Sequence, residues 1–349
     1  MDSIPAIEAL RTLVRRFSGH DPRFIERMTG GASTRLFFRI GLNPSGSAVA
    51  IYVPNAGTSD EIVNQDESSR GRWPYLEVRD LLEQHGVRVP ELHGEDCDAG
   101  LIVVEDLGDL TLANYLACYQ DERTDLYKRA VRDLARAQQK LARLPDECIV
   151  RQRRFDRDLL RWEVDHFREW ALEARGIHLD SEDRRTFDAA ADYLSEVISE
   201  WPYGFVHRDY QSRNLMVRGE GIDRELVWID FQDALLGPRV YDLVALLSDS
   251  YQTFTRDFVD ERLDDYAAFL GLNSTERAQV GYEFDIVTVQ RKLKDAGRFV
   301  FIERVNKNPD FLEFVEPTID KALAALRRLS DRQELRALHL LLERVLSRK

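Results

Sequence analysis

The sequence predicts an α+β fold with two lobes, a small β-rich N-terminal lobe followed by a large helical C-terminal lobe. Three observations support this division. The chain has 349 residues, which is more than one small hydrophobic core accommodates. Roughly its first hundred residues alternate between short apolar runs and turn signals, whereas the chain from Thr111 onward has mostly helical periodicity. This arrangement predicts a cleft between the lobes, where ligands usually bind.

The N-terminal lobe is assigned to residues 1–106. It begins with an amphipathic helix over residues 1–17, where apolar residues recur at helical spacing. Gly30-Gly31 and the Asn-Pro-Ser-Gly segment at 43–46 are turn signals that separate the following strands. The strands predicted in this lobe are residues 24–28, 36–42, 48–53, 87–92 and 101–105, and a further helix is predicted over residues 73–85.

The C-terminal lobe is assigned to residues 107–349 and is mainly helical. Two β-type runs interrupt the helices, at residues 204–207 and 226–231, and residues 215–217 are candidates for pairing with the second run. From about residue 240 to the end the pattern is again helical. The helices predicted before that point are residues 112–119, 125–144, 156–175 and 181–201.

The composition limits the class of protein. Acidic residues number 62 against 49 basic ones, giving a formal net charge of -13, and this disfavours a general nucleic-acid binder because phosphates would repel the chain. Three cysteines without a CxxC pair favour a reducing compartment over a disulfide framework or a zinc site. No apolar run suits a signal peptide or reaches the roughly 20 residues that span a bilayer. We therefore expect a cytoplasmic protein that binds neither nucleic acid nor membrane.

Two segments carry candidate chemistry. The first is His-Arg-Asp209-Tyr-Gln-Ser-Arg-Asn214, and the second is Ile-Asp230-Phe. Phosphoryl transfer needs a carboxylate that orients the attacking hydroxyl, and oxygen ligands that hold Mg²⁺ on nucleotide phosphates. Asp209 fits the first role, whereas the Asn214 amide and the Asp230 carboxylate fit the second. A β-type run before each segment places these side chains on rigid backbone.

The spacing His-x-Asp-x-x-x-x-Asn followed by Ile-Asp-Phe resembles the aminoglycoside phosphotransferase and choline kinase superfamily, which has a protein-kinase-like fold. The resemblance implies that Asp209 is the catalytic carboxylate and that Asn214 and Asp230 bind Mg²⁺. It also implies that His207 and Asp242 support the catalytic loop. A simple helix N-cap is an equally good explanation of Asp242.

Further segments resemble a narrower group, the bacterial kinases that phosphorylate the C1 hydroxyl of N-acetylmuramate and N-acetylglucosamine in cell-wall sugar recycling. The similar segments include residues 159–170, 232–251 and 289–294. The resemblance spans nearly the whole chain and is clearest from residue 73 to residue 310.

The resemblance places nucleotide contacts in the N-terminal lobe. A loop over the phosphates would lie at the turn between the first two strands, although the segment lacks the G-x-G-x-x-G spacing and a simple turn explains it equally well. The hinge that holds the adenine edge with its backbone would follow the last strand of the lobe. The nucleotide-binding residues predicted in this way are Gly31, Ser33, Thr34, Arg35, Glu105 and Leu107.

The third strand departs from the kinase pattern. It should carry a lysine that pairs with the α- and β-phosphates, but residues 48–53 contain none and Tyr52 occupies the expected position. Arg35 and Arg39 are alternative sources of positive charge. Both are also explained as solvated surface arginines.

The C-terminal lobe supplies candidates for sugar binding. Sugar sites combine polar side chains for the hydroxyls with an aromatic face for the ring, and arginine pairs bidentately with carboxylates such as a lactyl group. Core packing explains Trp170 equally well. Lys292 and Lys294, which follow Arg291 in the sequence, are assigned to the surface. The substrate-binding residues predicted are Glu163, Trp170, Arg213, Asp249 and Arg291.

The two motifs predict a kinase that uses ATP and Mg²⁺, and the narrower resemblance implies that it phosphorylates the anomeric hydroxyl of an N-acetylated amino sugar. Two alternatives stay open. A kinase for an aminoglycoside or another amino alcohol would bind the substrate ammonium with acidic residues, which the net charge permits. A nucleotide-binding pseudokinase would account for the missing lysine, but the presence of Asp209, Asn214 and Asp230 opposes it.

Overall fold

The computed structural model describes residues 4–28, 35–53, 73–221 and 224–347. Gly31, Ser33 and Thr34 lie outside the described residues. The chain forms two compact units: unit 1 comprises Met1–Tyr115 and Asn214–Gln232, and unit 2 comprises Leu116–Arg213 and Asp233–Lys349. The lobe boundary after residue 106 stays a prediction.

The secondary structure is mixed, with helices dominating unit 2. The strands are, in chain order, β1 (Ile25–Arg27), β2 (Leu36–Gly41), β3 (Ser47–Tyr52), β4 (Leu92–Asp96), β5 (Leu101–Glu105), β6 (Tyr203–Val206), β7 (Leu215–Arg218), β8 (Glu225–Trp228) and β9 (Leu235–Pro238). The α-helices are α1 (Ile4–Ser18), α2 (Pro74–Gln84), α3 (Leu112–Cys118), α4 (Arg123–Lys140), α5 (Ile149–Gln152), α6 (Arg157–His166), α7 (Ser181–Ser199), α8 (Tyr241–Leu247), α9 (Arg256–Leu270), α10 (Ser274–Asn306), α11 (Val315–Arg328) and α12 (Gln333–Leu346).

Unit 1 is built on a five-stranded antiparallel sheet with the strand order β1-β2-β3-β5-β4. Successive side chains of a strand point to opposite faces, so each face has its own apolar cluster. On one face Leu10 and Leu13 of α1 pack with Ala50 and its neighbours. On the other face Leu76 of α2 packs with Ile51 and its neighbours. The sheet is therefore covered by a different helix on each side.

Residues 214–232 belong to unit 1, and their backbone forms hydrogen bonds with the N-terminal segment of that unit. The β7 and β8 strands pair antiparallel with each other. The Val217 N–H donates to the Leu110 carbonyl at 2.8 Å, and the Trp228 N–H donates to the Arg88 carbonyl at 2.9 Å. Leu107 completes a small buried cluster with Met216 and Val227 of this strand pair.

Unit 2 is mostly helical and contains the antiparallel strand pair β6 and β9. Its longest helix, α10, has 33 residues and begins with a capping box formed by Asn273 and Glu276. A π-helix, Phe167–Leu172, continues α6. A Cβ on Gly297 would lie 2.6 Å from the His166 carbonyl oxygen, so glycine lets α10 pass close to the start of the π-helix.

Two predicted elements differ from the structure. The strand predicted over residues 87–92 is wrong, because β4 begins only at Leu92 and residues 87–91 have no strand structure. Pro90 lacks the N–H that a paired strand needs. The single helix predicted over residues 156–175 is also wrong, since α6 ends at His166 and the π-helix follows.

Two further observations concern the chain as a whole. Cys97, Cys118 and Cys148 are all free thiols. Within the described ranges, no helix combines the length and the apolarity that crossing a membrane requires.

Candidate active site

The loop that carries Asp209 in unit 2 follows directly after β6. Asp242, in the first turn of α8, is fully buried and accepts hydrogen bonds from the His207 N–H at 2.7 Å and the Arg208 N–H at 3.0 Å. Arg208 has a φ of 80°, a left-handed backbone conformation that residues other than glycine rarely adopt. Such backbone persists only where its surroundings hold it. The Asp242 carboxyl therefore fixes the backbone immediately before Asp209.

Asp209 itself is paired with a buried cation. Its Oδ1 lies 3.1 Å from Nη2 of Arg291, whose side chain is 3% exposed. Arg291 Nη1 also donates to the Arg208 carbonyl at 2.7 Å, so one guanidinium binds both the carboxylate and the loop. Burial raises the pKa of Asp209, but the charges of Arg291 and Lys294 outweigh burial, and the pKa lies below its ordinary value. Asp209 is therefore ionised at neutral pH.

The buried Asp242 behaves differently. Burial raises its pKa to about 7, although the two backbone donors and the nearby Arg291 favour the ionised form. An aspartate in an unfolded chain has a pKa of about 3.9. Asp242 therefore binds a proton more readily in the folded protein than in the unfolded one.

This difference predicts how Asp242 affects stability at different pH values. The stabilisation from proton binding is complete below about pH 4 and is lost as pH rises through about 7. We expect the free energy of unfolding of the parent, relative to that of Asp242→Asn, to fall from about pH 5 to pH 8, because the amide does not titrate. Urea denaturation of both proteins at several pH values measures this difference. A difference that is constant with pH would contradict the raised pKa.

The second group of predicted residues lies in unit 1. Asn214 stands immediately before β7 and Asp230 shortly after β8, and the Ile229 N–H donates to the Asn214 carbonyl at 3.0 Å. The pairing of the two strands thus brings the side chains together, with Asn214 Nδ2 3.5 Å from Asp230 Oδ2. Gln232 Nε2 donates to Asp230 Oδ1 at 3.0 Å. Asp230 has a φ of 63°, so its backbone is also held in a left-handed conformation.

This pair has the donor chemistry of a Mg²⁺ site. The Asp230 side chain is 43% exposed, so a solvated ion has access to its oxygens. Magnesium prefers oxygen ligands, and it usually takes one or two protein carboxylates together with phosphate oxygens and water. Over the described residues no group of three His, Cys, Asp or Glu side chains is arranged to hold a metal ion, and a site shared with nucleotide phosphates does not need one.

The predicted hinge residues have different surroundings. The Glu105 carboxylate accepts two hydrogen bonds from Arg88 Nη2, at 2.7 and 2.8 Å, and one from the Glu91 N–H at 3.2 Å. Its side chain is therefore engaged within unit 1. Leu107 is 7% exposed and packs on Met216.

The residue that replaces the third-strand lysine is not Tyr52. Tyr52 packs on the face of the sheet that α1 covers, whereas Val49 and Ile51 of the same strand pack on the α2 face. Phe231, next to Asp230, lies on the α2 side, where its ring is 5.0 Å from that of Tyr75. The assignment of Tyr52 to the lysine position is therefore wrong, because it places the side chain on the opposite face.

Arg39 is not a solvated surface arginine. Its Nε lies 2.8 Å from Asp106 Oδ2, and its Nη2 lies 2.8 Å from Asp109 Oδ1. The hydrogen bonds to Asp109 and Asp106 raise its pKa above the ordinary range. These carboxylates neutralise its charge locally.

Both predicted sugar-binding carboxylates are engaged inside unit 2. Glu163 is fully buried and accepts a hydrogen bond from Gln290 Nε2 at 2.7 Å. Asp249 is 1% exposed and accepts from both the N–H and the hydroxyl of Ser212, at 3.1 and 2.5 Å. These contacts favour a role for Asp249 in holding the catalytic loop rather than in binding substrate.

The other predicted sugar-binding residues are spread over unit 2. Arg213 is exposed, and its guanidinium lies 3.5 Å from the centroid of the Tyr251 ring. Trp170 is half-buried in the π-helix, with its ring edge-on to Phe301 at 5.0 Å. Arg291 is the cation beside Asp209 described above.

The sequence-based assignment missed two cations. Lys292 and Lys294 are not surface residues, since Lys292 is 1% exposed overall and the Lys294 side chain is 12% exposed. Both contact Asp295, at 2.7 and 3.5 Å. Asp295 at i+3 of Lys292 is the sequence signal that the charge of this lysine has a partner on the same helix.

The chain matches the phosphotransferase enzyme family over residues 16–280. The chain belongs to this family. A curated relative, the N-acetylmuramate/N-acetylglucosamine kinase of Neisseria meningitidis serogroup B, is 31% identical, and the match covers 89% of this chain and 87% of the relative. A kinase of the same name from Pseudomonas aeruginosa is 31% identical, and the match covers 68% of this chain and 69% of the relative. The prediction of a phosphotransferase enzyme is thereby confirmed.

Solved structures of low sequence identity share the fold. Aminoglycoside 2'-phosphotransferase-IIIa in its GDP complex has a TM-score of 0.60 at 16% identity, covering 90% of this chain and 98% of the other. Choline kinase LicA from Streptococcus pneumoniae has a TM-score of 0.58 at 14% identity, covering 92% and 99%. These likenesses confirm the predicted α+β, protein-kinase-like fold.

Proposed function

We propose that this member of the family is a kinase that uses ATP and Mg²⁺ to phosphorylate the anomeric hydroxyl of N-acetylmuramate or N-acetylglucosamine. The observation that carries the proposal is the similarity to the Neisseria meningitidis kinase, because it extends over 89% of this chain and 87% of the relative. It therefore includes the helical segments that a substrate-specific resemblance requires, and not only the motifs around Asp209 and Asp230.

Asp209 is the catalytic carboxylate in this proposal. Its lowered pKa makes it a weak base that is ionised at neutral pH. An anomeric hydroxyl is more acidic than an ordinary alcohol, so a weak base suffices to orient it and to accept its proton late in the reaction. His207, Asp242 and Asp249 are positioning residues, because each accepts a hydrogen bond from the loop backbone around Asp209. The donors are the Asp209 N–H to His207, the His207 N–H to Asp242 and the Ser212 N–H to Asp249.

Asn214 and Asp230 would hold the Mg²⁺ of the nucleotide. The bound ion neutralises charge on the phosphates during transfer. Arg35, Glu105 and Leu107 are assigned to nucleotide binding, Arg35 through its charge and the other two through backbone groups. Gly31, Ser33 and Thr34 retain the same assignment as proposals.

Arg213, Arg291, Trp170 and Glu163 are the proposed residues for the acceptor sugar. Arg213 is exposed on the Tyr251 ring and is suited to a carboxylate of the sugar. Arg291 and the fully buried Glu163 act through the loop, because Arg291 contacts the Arg208 carbonyl and Glu163 lies 3.9 Å from Arg208 Nη2.

A capped sugar tests the position of phosphorylation. The parent protein should release ADP with N-acetylglucosamine or N-acetylmuramate and form the sugar 1-phosphate. The methyl glycoside of N-acetylglucosamine should be inert, because its C1 oxygen has no proton to lose while every other hydroxyl is still available. A coupled ADP assay with both sugars and the glycoside measures this.

The outcomes separate three functions. Turnover of the methyl glycoside would refute anomeric transfer and leave the kinase assignment intact. Turnover of an aminoglycoside or choline, with none for the amino sugars, would support the amino-alcohol alternative. ATP binding without turnover of any acceptor would support a pseudokinase.

A further inference from the structure

Unit 1 contains no lysine. The first lysine of the chain is Lys128, and none occurs among residues 214–232. A kinase of this fold family is expected to bring a side-chain cation from this part of the chain to the α- and β-phosphates. In unit 1 the strong candidates for that cation are therefore arginines.

Three buried or half-buried arginines described in unit 1 are paired with carboxylates other than Asp230. Arg39 pairs with Asp106, Arg79 with Glu83 and Arg88 with Glu105, at distances of 2.6 to 2.8 Å. Arg35 differs from them, since its Nη1 lies 3.3 Å from Asp230 Oδ1. Its contact is with the carboxylate proposed to hold the nucleotide's Mg²⁺.

The position of Arg35 directly before β2 agrees with its contact to Asp230. It precedes Phe37 by two residues, and Phe37 packs on the face that α2 covers. Tyr75 of α2 belongs to that face, and its ring lies tilted against that of Phe231, the neighbour of Asp230, with 5.0 Å between the centroids. The Arg35 side chain is 24% exposed, so it is accessible to a ligand without being a freely solvated surface group.

We propose that Arg35 replaces the third-strand lysine of other kinases and binds the α- and β-phosphates of the nucleotide. Without nucleotide, Asp230 holds its guanidinium by the ion pair described above. With nucleotide and Mg²⁺ present, the Asp230 carboxylate would be a ligand of the ion, and the Arg35 guanidinium would donate paired N–H hydrogen bonds to the phosphate oxygens. The inference rests on the proposed ATP-dependent function and deepens it.

Comparison of ADP with adenosine tests the phosphate contact. In calorimetry with Mg²⁺, Arg35→Gln should bind ADP roughly 10- to 100-fold more weakly than the parent, the loss expected for a hydrogen-bonded charge. It should bind adenosine with affinity within about twofold of the parent, because adenosine has no phosphates. Arg35→Lys should recover part of the ADP affinity, since it restores a cation with a shorter reach.

Arg23→Gln is the matched control, because it removes an exposed arginine from the same unit and should leave both affinities unchanged. Equal ADP binding by Arg35→Gln and the parent would overturn the proposal. An equal loss of ADP and adenosine binding would also overturn it, since that result indicates a structural role. If the parent itself binds no nucleotide, the proposed kinase function fails instead.

Measurements in EDTA test the ion pair separately from the metal. Without Mg²⁺, Asp230 holds Arg35 and repels the phosphates, so Asp230→Ala should raise ADP affinity about threefold or more. The gain should be smaller when the same substitution is made in Arg35→Gln, which gives a double-mutant cycle. A gain of the same size in both backgrounds, or no gain, would overturn the role of Asp230 in holding Arg35. The Asp230→Ala measurement in the parent background needs no Arg35 variant, so the absence of a gain remains decisive even if Arg35→Gln is too unstable for the ADP comparison.

Discussion

Asp209→Asn should lower kcat for sugar phosphorylation by roughly 10²-fold or more, the contribution expected of a positioned proton acceptor. The amide has nearly the same shape as the carboxylate, and Arg291 keeps its hydrogen bond to the Arg208 carbonyl at 2.7 Å. The loop should therefore stay in place, and ATP affinity should change little. A coupled ADP assay at saturating ATP and sugar measures kcat, and calorimetry with ATP measures the affinity.

The matched control is Asp320→Asn, which removes an exposed carboxylate from α11. It should retain the turnover of the parent. If Asp209→Asn has a kcat within about twofold of the parent, Asp209 is not the catalytic carboxylate. If Asp209→Asn lost both ATP binding and turnover, the substitution would have disturbed the loop rather than the chemistry.

Asp230→Ala should abolish the part of ATP affinity that depends on Mg²⁺. The substitution removes the charged oxygen ligand of the proposed site and leaves only the neutral Asn214 amide, which is too weak a ligand set for an ion that sheds its water reluctantly. In the parent, Mg²⁺ should increase ATP affinity. In the variant, calorimetry with and without Mg²⁺ should give nearly equal affinities, and kcat should fall below detection.

Asp98→Ala provides the comparison, because Asp98 is an exposed aspartate in the turn between β4 and β5 of the same unit. It should keep the Mg²⁺ dependence of the parent. If Asp230→Ala retained the full effect of Mg²⁺ on ATP affinity, the metal site would have to be assigned to other residues.

The elements that sequence reasoning placed correctly are those whose signals are local. Alternating apolar residues and flanking turns predicted β2, β3 and β5, and the helix at residues 73–85 corresponds to α2. The Asp209 and Asp230 motifs were recognisable because chemistry requires each residue type at a set spacing. Asp209 lies in the loop after β6, as predicted, whereas the β-type run predicted over residues 226–231 included Asp230, which in the structure lies two residues after the end of β8.

The surroundings that the sequence did not reveal depend on contacts between distant parts of the chain. The carboxylate of Asp249 is engaged by Ser212, 37 residues earlier. Arg39 is neutralised by Asp106 and Asp109, about 70 residues later. For Tyr52 the error was one of register, since a shift of one residue in a strand exchanges the two faces. No periodicity within a single segment contains this information.

The division of unit 1 between two chain segments affects how the protein is made. A ribosome releases residues 1–115 first, then roughly a hundred residues of unit 2, and only afterwards residues 214–232. Until then Leu107 lacks its contacts with Met216 and Val227, and the Arg88 carbonyl lacks its hydrogen-bond donor, the Trp228 N–H. The nascent N-terminal segment is therefore an incomplete folding unit, open to chaperones and proteases during synthesis. A fragment that ends near residue 115 should share this weakness, so a minimal expressible piece of unit 1 needs β7 and β8 joined to it.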